Sequence, residues 1–174
     1  MNIEAAARTL RYRFLRQSAD DVGADRIAVG HTGTDVAETL LMNLLRGAGL
    51  RGMAAIAPLR GRIIRPLIYI KREETAEYCH SRGLAFRTDV TNLDTDYTRN
   101  KIRLDLLPKL EQDYGPDIVD ALLRSVLAAR QELKWTEPLV DEAWTDCRQD
   151  TDAPAALSVP VAQEMQEGLL VRVL

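Results

Sequence analysis

The sequence predicts an α/β fold with a parallel sheet, followed along the chain by a helical segment. In the first half, a short apolar run lies between two helical patterns, with glycines at the breaks. A helix, a strand, a loop and a second helix in that order are typical of parallel α/β domains. After Thr98, successive helical patterns replace the strand-like runs. We therefore expect an α/β domain over residues 1–108 and a helical segment over residues 109–174.

The elements of the first half follow from apolar spacing and from glycine and proline breaks. Residues 4–22 show apolar side chains at helical spacing, and Gly23 stands where helices commonly end. The apolar run 26–30 is bounded by glycine and predicts a buried strand. The remaining predicted elements are a helix over 35–45, an extended segment over 62–70 interrupted by Pro66, a helix over 71–83 and a short strand or extended loop over 86–91.

The second half predicts helices alone. Leucine, isoleucine and valine recur there at helical spacing. The predicted helices cover residues 99–112, 115–134 and 138–148, and a further apolar helical pattern covers 157–174.

The composition is typical of a globular protein in water. Of 174 residues, 46% are hydrophobic and 28% are charged, and no apolar run approaches the roughly 18 residues of a membrane helix. Residues 1–8 lack the basic and apolar regions of a signal peptide, so we expect a cytoplasmic protein without a membrane partner. Cys79 and Cys147 have no C-x-x-C neighbour, which predicts free thiols. His31 and His80 are too few for a His-rich metal cluster.

The net charge of −3 conceals an uneven distribution. Residues 1–103 carry 17 basic and 12 acidic side chains, whereas residues 104–174 carry 6 and 14. Residues 39–72, called here the basic stretch, contain seven basic side chains and no acidic one. Such a stretch would attract a nucleotide or RNA. The alternative is a solvated surface whose charges are balanced in space by distant acidic residues.

The first candidate site follows the predicted strand and runs from Gly30 to Thr39. His31 would stand at the carboxyl end of the strand, where parallel sheets bind ligands. Asp35 and Glu38 are three residues apart and would project from one side of the next helix. Carboxylates there could hold Mg²⁺ or orient a nucleophile. The alternative is that Asp35 only caps the helix, with Glu38 as its capping-box partner.

The second candidate site is the polar block over residues 89–103. Arg99 and Arg103 are four residues apart and would share one helix face, where they could grip a phosphate. Asn100 offers both a donor and an acceptor for a base edge or a turn. The alternative is a capped loop in which Asp94 or Asp96 pairs with the arginines.

The order of these blocks resembles the tRNA(Ile)-lysidine synthetase family, which belongs to the PP-loop ATP pyrophosphatases. The motifs that carry the resemblance are Gly-His-x-x-x-Asp-x-x-Glu-Thr from Gly30, Leu-Leu-Arg-Gly-x-Gly-Leu-Arg-Gly from Leu44, Arg-Pro-Leu from Arg65 and Asp-x-Thr-Asn-x-Asp-x-x-Tyr-x-Arg-Asn-x-Ile-Arg from Asp89. Residues 4–15 are similar to the helix that precedes the Gly-His strand in that family.

The resemblance implies an enzyme that uses ATP and Mg²⁺ to adenylate the wobble cytidine of tRNA(Ile) with a CAU anticodon. L-lysine then attacks the activated ring carbon, which gives lysidine and releases AMP. It also implies the C-terminal part of a Rossmann-like, adenine nucleotide alpha hydrolase-like domain over residues 1–108. Residues 109–174 would be a helical linker and the start of a tRNA-binding helical domain. A homodimer is compatible with this family.

Matching positions carry the family's roles onto individual residues. Catalysis is assigned to His31, Asp35 and Glu38, and Asp35 is also the expected metal ligand. The expected nucleotide-binding residues are Arg8, Gly30, His31 and Asp35, and the expected tRNA-binding residues are Arg11, Arg46, Arg99, Asn100 and Arg103.

The sequence departs from the family pattern in two places. It contains no Ser-Gly-Gly-x-Asp-Ser loop, which in the family supplies backbone N–H groups to pyrophosphate. Thr34 stands where the family usually has the first of two adjacent acids. We therefore expect a fragment that is inactive alone and that exposes strand edges and apolar faces. The alternatives are a thiolase-like PP-loop enzyme, which the lack of paired cysteines argues against, and a non-catalytic RNA-binding module.

Overall fold

The computed structural model describes residues 3–86, 98–148 and 158–173. The chain divides into two compact units, residues 1–126 and 127–174. The first unit contains a small sheet with helices and the second is helical in its described part, so the predicted α/β class is confirmed. No described helix is long and apolar enough to cross a membrane.

The elements of the first unit alternate between helices and very short strands. In chain order they are α1 (Ile3–Asp21), β1 (Ile27–Ala28), α2 (Gly33–Leu44), α3 (Leu50–Met53), β2 (Leu59–Arg60), β3 (Ile63–Ile64), α4 (Arg72–Ser81), α5 (Thr98–Lys101), a π-helical segment (Ile102–Leu106) and α6 (Leu107–Tyr114). A long helix, α7 (Ile118–Cys147), begins in the first unit and continues into the second. The second unit adds α8 (Val159–Glu164) and α9 (Glu167–Val173).

The sheet of the first unit has three described strands in the order β1-β3-β2. β1 runs parallel to β3, which confirms the predicted parallel pairing, and Ile27 lies opposite Ile63. β2 and β3 form an antiparallel hairpin around Gly61, whose φ of 59° favours glycine. This hairpin is not among the elements that the sequence predicts. The extended segment predicted over 62–70 is a strand only at Ile63–Ile64, because Pro66 has no N–H to continue the ladder.

Some apolar surface of the first unit is left uncovered. β1 lies at one edge of the sheet, and on α1 the side chains of Leu10 and Phe14 are 65% and 68% exposed. Both belong to the apolar side chains at helical spacing over residues 4–22, a pattern typical of a helix with one buried face. The expected exposure of a strand edge and of apolar faces is therefore present in the described residues.

The core of the first unit is built around α2. Val36, Ala37 and Leu40 on this helix are buried. They belong to a cluster whose other buried members are Ile68, Ile102, Leu107, Val119, Leu123 and Val126. Because this core fixes the position of α2, it also fixes the polar residues on the first turns of the same helix.

The predicted element order differs from the structure in three places. The helix predicted over 99–112 consists of α5, the π-helical segment and α6. The two helices predicted over 115–134 and 138–148 are one helix, α7, which continues through Pro138. Burial of Val140 and Ala143 beyond the proline, against Met165 and Leu169, offsets the lost backbone hydrogen bond. The glycine-rich break after α2 contains the short helix α3.

Three further predictions concern the end of α1, the segment over residues 86–91 and the cysteines. Gly23 follows α1 with a φ of 66°, as expected for a glycine that ends a helix. Of the strand or loop predicted over 86–91, all but residue 86 lies outside the described residues. Cys79 and Cys147 are free, as predicted, and Cys147 is buried.

Candidate functional site

The candidate site lies beyond the carboxyl ends of β1 and β3. The N–H of Val29 donates to the carbonyl of Ile64 at 3.0 Å, so the two parallel strands end side by side. His31 follows β1 and Arg65 follows β3. Ligands of parallel α/β sheets bind at this edge. The sequence prediction that chemistry-bearing residues follow Gly30 therefore agrees with the topology.

The start of α2 is fixed by a capping box. Thr32 is the N-cap, and the carboxylate Oδ2 of Asp35 accepts from its N–H at 2.8 Å and from its hydroxyl at 2.9 Å. Gly33 donates its N–H to the carbonyl of Ile70 at 2.7 Å, an approach that leaves little room for a side chain. The alternative with Asp35 as the N-cap and Glu38 as its partner is wrong, because the same spacing one turn earlier, from Thr32 to Asp35, forms the box.

The carboxylates of Asp35 and Glu38 contact three arginines, Arg72, Arg99 and Arg103. These five side chains are called here the acid–arginine cluster. Glu38 is completely buried. Its Oε2 accepts from Arg99 Nε at 2.7 Å and from Arg103 Nη2 at 2.9 Å, and its Oε1 accepts from Arg103 Nε at 2.5 Å. The Oδ1 of Asp35 accepts from Arg99 at 2.9 Å, Arg72 at 3.1 Å and Arg103 at 3.4 Å. The three cations outnumber the two carboxylates.

The cluster confirms one sequence prediction and leaves another untested. Arg99 and Arg103 do share a face, across α5 and the π-helical segment, and both point to the carboxylates of α2. Asp94 and Asp96, the partners considered in the alternative, lie outside the described residues. The phosphate-binding role of the two arginines therefore stays a prediction.

Electrostatics keep two members of the cluster, Asp35 and Arg103, ionised. Burial acts to raise the pKa of Asp35, but the Thr32 hydrogen bonds and the charges of Arg99 and Arg72 outweigh it and hold that pKa below its usual value. Burial acts to lower the pKa of Arg103, but its hydrogen bond to Glu38 and the nearby carboxylates raise it. At neutral pH Asp35 and Arg103 therefore remain charged.

Thr34 ties the cluster to the next helix. Its hydroxyl accepts from the backbone N–H of Arg72 at 3.1 Å, where α4 begins. This contact brings the Arg72 side chain within reach of Asp35. Thr34 therefore supports the cluster with a neutral hydrogen bond.

His31 stands beside the cluster as a neutral imidazole. Burial lowers its pKa, and Arg65, Arg99 and Arg8 act in the same direction against the opposing charge of Asp35. Its Nδ1 is buried and has no hydrogen-bond partner within the described residues. A neutral ring with an unused nitrogen can exchange a hydrogen bond or a proton with a bound substrate.

We expect the imidazole of His31 to titrate below about 6.5. The unfolded chain then binds this proton at higher pH than the folded chain, so the free energy of unfolding should fall as the pH drops through that value. NMR titration of the imidazole signals measures the pKa directly. His80→Gln leaves a single histidine and assigns the signal. A midpoint at or above that of a free histidine would contradict the prediction.

The hydrogen-bond donors around Asp35 decide whether its carboxylate could hold Mg²⁺. Its two oxygens accept five hydrogen bonds, from Thr32 and from the three arginines of the cluster. A carboxylate offers about four lone pairs, so this arrangement has no free oxygen for a metal. The described residues also contain no group of three or more metal-binding side chains. The metal role of Asp35 stays a prediction that this geometry does not favour.

The other predicted residues lie in different surroundings. Arg8 stacks on Tyr12, with its guanidinium 5.3 Å from the ring centre, and its charge reaches His31. Asn100 is half-buried beside Arg99. Arg11 and Arg46 are exposed, and no described contact brings either to the cluster.

Sequence reasoning missed two residues of the site, Arg65 and Arg72. Both lie in the basic stretch, but its spacing does not distinguish them from their neighbours. Part of that stretch is balanced by distant acidic residues, as the alternative reading proposed. Arg62 pairs with Asp20, and Lys71 pairs with Asp120 at 2.6 Å. The hydrogen bond to Asp120 also raises the pKa of Lys71.

The comparisons with known proteins agree with the resemblance. A tRNA(Ile)-lysidine synthase of Caldanaerobacter subterraneus subsp. tengcongensis is 43% identical over 141 residues, which are 81% of this chain and 30% of that protein. The same enzyme of Bacteroides thetaiotaomicron is 43% identical over 145 residues, 83% of this chain and 34% of that protein. The chain thus spans about a third of the length of these relatives.

A solved structure agrees with the fold. The U34-tRNA thiolase NcsA from Methanococcus maripaludis superposes with a TM-score of 0.56 over 91% of this chain and 49% of that one, at 18% identity. At that identity the likeness supports the fold alone, and together with the PP-loop match it fits an adenine nucleotide alpha hydrolase-like fold. The sequence model of a family described as a PP-loop domain matches residues 1–110. The chain belongs to this PP-loop domain family.

Proposed function

We propose that this chain is part of an ATP-dependent ligase that adenylates the wobble cytidine of tRNA(Ile) and attaches L-lysine to it. The relatives named tRNA(Ile)-lysidine synthase support the reaction, and they match this chain through both motif blocks. The observation that carries the proposal is the acid–arginine cluster. It holds three guanidinium groups beside a neutral histidine at the sheet edge where nucleotides bind.

The geometry supports a different role for the arginines, for the two carboxylates and for His31. The arginines would stabilise negative charge on phosphate oxygens, which their planar forks suit. Asp35 and Glu38 would hold the arginines in orientation, since both carboxylates are engaged by them. His31 would accept the proton that the lysine amine loses when its nitrogen bonds to the ring carbon and AMP leaves. Mg²⁺ would add charge neutralisation at the phosphates.

The test is lysine incorporation with the missing loop supplied in trans. The chain is mixed with an N-terminal segment of a lysidine synthase that carries the Ser-Gly-Gly-x-Asp-Ser loop, ATP, Mg²⁺, labelled lysine and a tRNA(Ile) transcript with a CAU anticodon. We expect lysine incorporation by the unmodified chain. Its rate should fall about 100-fold in Asp35→Asn, because the arginines are then no longer held in position. Asp25→Asn, at an exposed position, is the matched control and should retain incorporation.

Circular dichroism of each variant separates loss of activity from loss of folding. Absence of incorporation from a folded chain that binds the added segment would refute the proposal. Salt-sensitive binding of the transcript without incorporation would then favour the non-catalytic RNA-binding module. Equal activity of the Asp35 and Asp25 variants would remove the cluster from the mechanism.

A further inference from the structure

We infer that Arg65 binds a phosphate group at the sheet edge, as an anion site additional to the arginines of the acid–arginine cluster. Arg65 is a buried cation, with only 6% of its surface exposed. Its guanidinium donates from Nη1 to the carbonyl of Ala57 at 2.6 Å, while the buried Nε has no hydrogen-bond partner in the described residues. The inference rests on the proposed function only for the source of the phosphate.

The absence of a carboxylate beside Arg65, within the described part of the chain, is what points to a ligand. Burying a charged group without a counter-ion is costly, so buried arginines in proteins are ordinarily paired. Even two less buried arginines of the basic stretch have carboxylate partners, Arg62 with Asp20 and Arg72 with Asp35. Arg65 is more buried than either and has one neutral acceptor. An anion would supply the missing charge and the missing acceptors.

The backbone holds Arg65 in place independently of its side chain. Its N–H donates to the carbonyl of Pro58 at 3.0 Å, and its carbonyl accepts from the N–H of Ile68 at 3.2 Å. Residue 65 follows β3, which runs parallel to β1. It therefore stands beyond the carboxyl ends of these two strands, as His31 does. Together with the Nη1 hydrogen bond to Ala57, this backbone anchoring positions the guanidinium before any ligand arrives, which lowers the entropy cost of binding.

Phosphate fits this position better than other anions. The planar guanidinium matches two phosphate oxygens, and charge-assisted hydrogen bonds of this kind are among the strongest in proteins. The neighbouring cluster already carries more arginines than carboxylates, which favours a ligand with several negative oxygens. The phosphate could belong to a nucleotide or to the tRNA backbone. A purely structural Arg65 would instead only tie the loop at Ala57 to the strand.

The experiment titrates the full chain with three probes: AMP, inorganic pyrophosphate and a tRNA(Ile) transcript. Binding is followed by calorimetry for the unmodified chain, Arg65→Gln and the control Arg60→Gln, which removes the same charge from an exposed position. We expect Arg65→Gln to weaken binding of at least one probe about tenfold, as for loss of a charge-assisted hydrogen bond. Arg60→Gln should retain the affinity for AMP and pyrophosphate.

The pattern across probes identifies the source of the phosphate. Loss confined to AMP and pyrophosphate assigns Arg65 to the nucleotide, and loss confined to the transcript assigns it to the tRNA backbone. No binding of any probe by the unmodified chain, or equal affinities for the unmodified chain and Arg65→Gln, overturns the inference. If Arg65→Gln does not fold, Arg65→Lys replaces it, and unchanged affinity is then the contrary result. None of these readouts requires lysine incorporation, so the proposed function can fail separately.

Discussion

Replacing Glu38 with glutamine is expected to lower the free energy of unfolding by about 3 kcal/mol, the lower end for breaking a buried ion pair. Glutamine keeps the volume but loses the charge, and its amide N–H₂ would face the donors of Arg99 or Arg103. Glu38 has no exposed surface, so water cannot replace the lost acceptor there. The side chains of Arg99 and Arg103 retain 26% and 15% exposure, which moderates the cost. Urea denaturation followed by circular dichroism measures the change.

Glu77→Gln is the matched control, because it makes the same replacement on the exposed face of α4. Its expected effect is within about 0.5 kcal/mol. If Glu38→Gln costs no more than this control, the arginines find other acceptors and the cluster does not stabilise the fold. A large cost together with a folded variant would show that the stability of the first unit depends on residues that the proposed function also uses.

The contacts of Asp35 and Glu38 distinguish between two roles that carboxylates can have near a nucleotide site. From spacing alone, Asp35 and Glu38 are equally suited to holding Mg²⁺ and to orienting a nucleophile. In the structure each carboxylate contacts at least two arginines. Their geometry therefore supports a positioning role, in which the acids act on the substrate through the arginines.

The sequence predicted best those features that depend on neighbouring residues. The end of α1 at Gly23, the strand before His31 and the shared face of Arg99 and Arg103 all follow from local spacing. α4 was predicted over 71–83 and is found over Arg72–Ser81, because acidic residues in its first turn mark its start. Each of these sequence signals lies within one or two helical turns of the element that it defines.

The features that the sequence did not predict depend on contacts between distant residues. Glu38 and Arg99 are 61 positions apart, and no spacing rule joins them. Nothing in the local sequence distinguishes Arg65 from the other arginines of the basic stretch, and only the structure shows that it is buried. The helix break expected near Pro138 is absent because burial beyond the proline outweighs a local preference. In each case tertiary packing decides between alternatives that the local sequence leaves open.

Leu40→Ala is expected to cost about 3 kcal/mol of unfolding free energy, because truncating a buried leucine leaves a cavity that the core fills only in part. Leu40 lies on the buried face of α2 and is 1% exposed. Leu44, one turn later on the same helix, is 43% exposed. Leu44→Ala therefore makes the same chemical change with little burial, and its expected cost is within about 1 kcal/mol. Urea denaturation of both variants measures the difference.

The same pair tests whether packing beneath α2 controls the site above it. Asp35 and Glu38 lie on this helix within five residues of Leu40, so a shift of the helix would displace their contacts with Arg99 and Arg103. Leu40→Ala should therefore move the NMR signal of His31 under conditions where both variants remain folded, whereas Leu44→Ala should not. Equal stabilities would mean that Leu40 is not held in a close-packed core. Unequal stabilities with an unmoved His31 signal would mean that the site is held by its ion pairs alone.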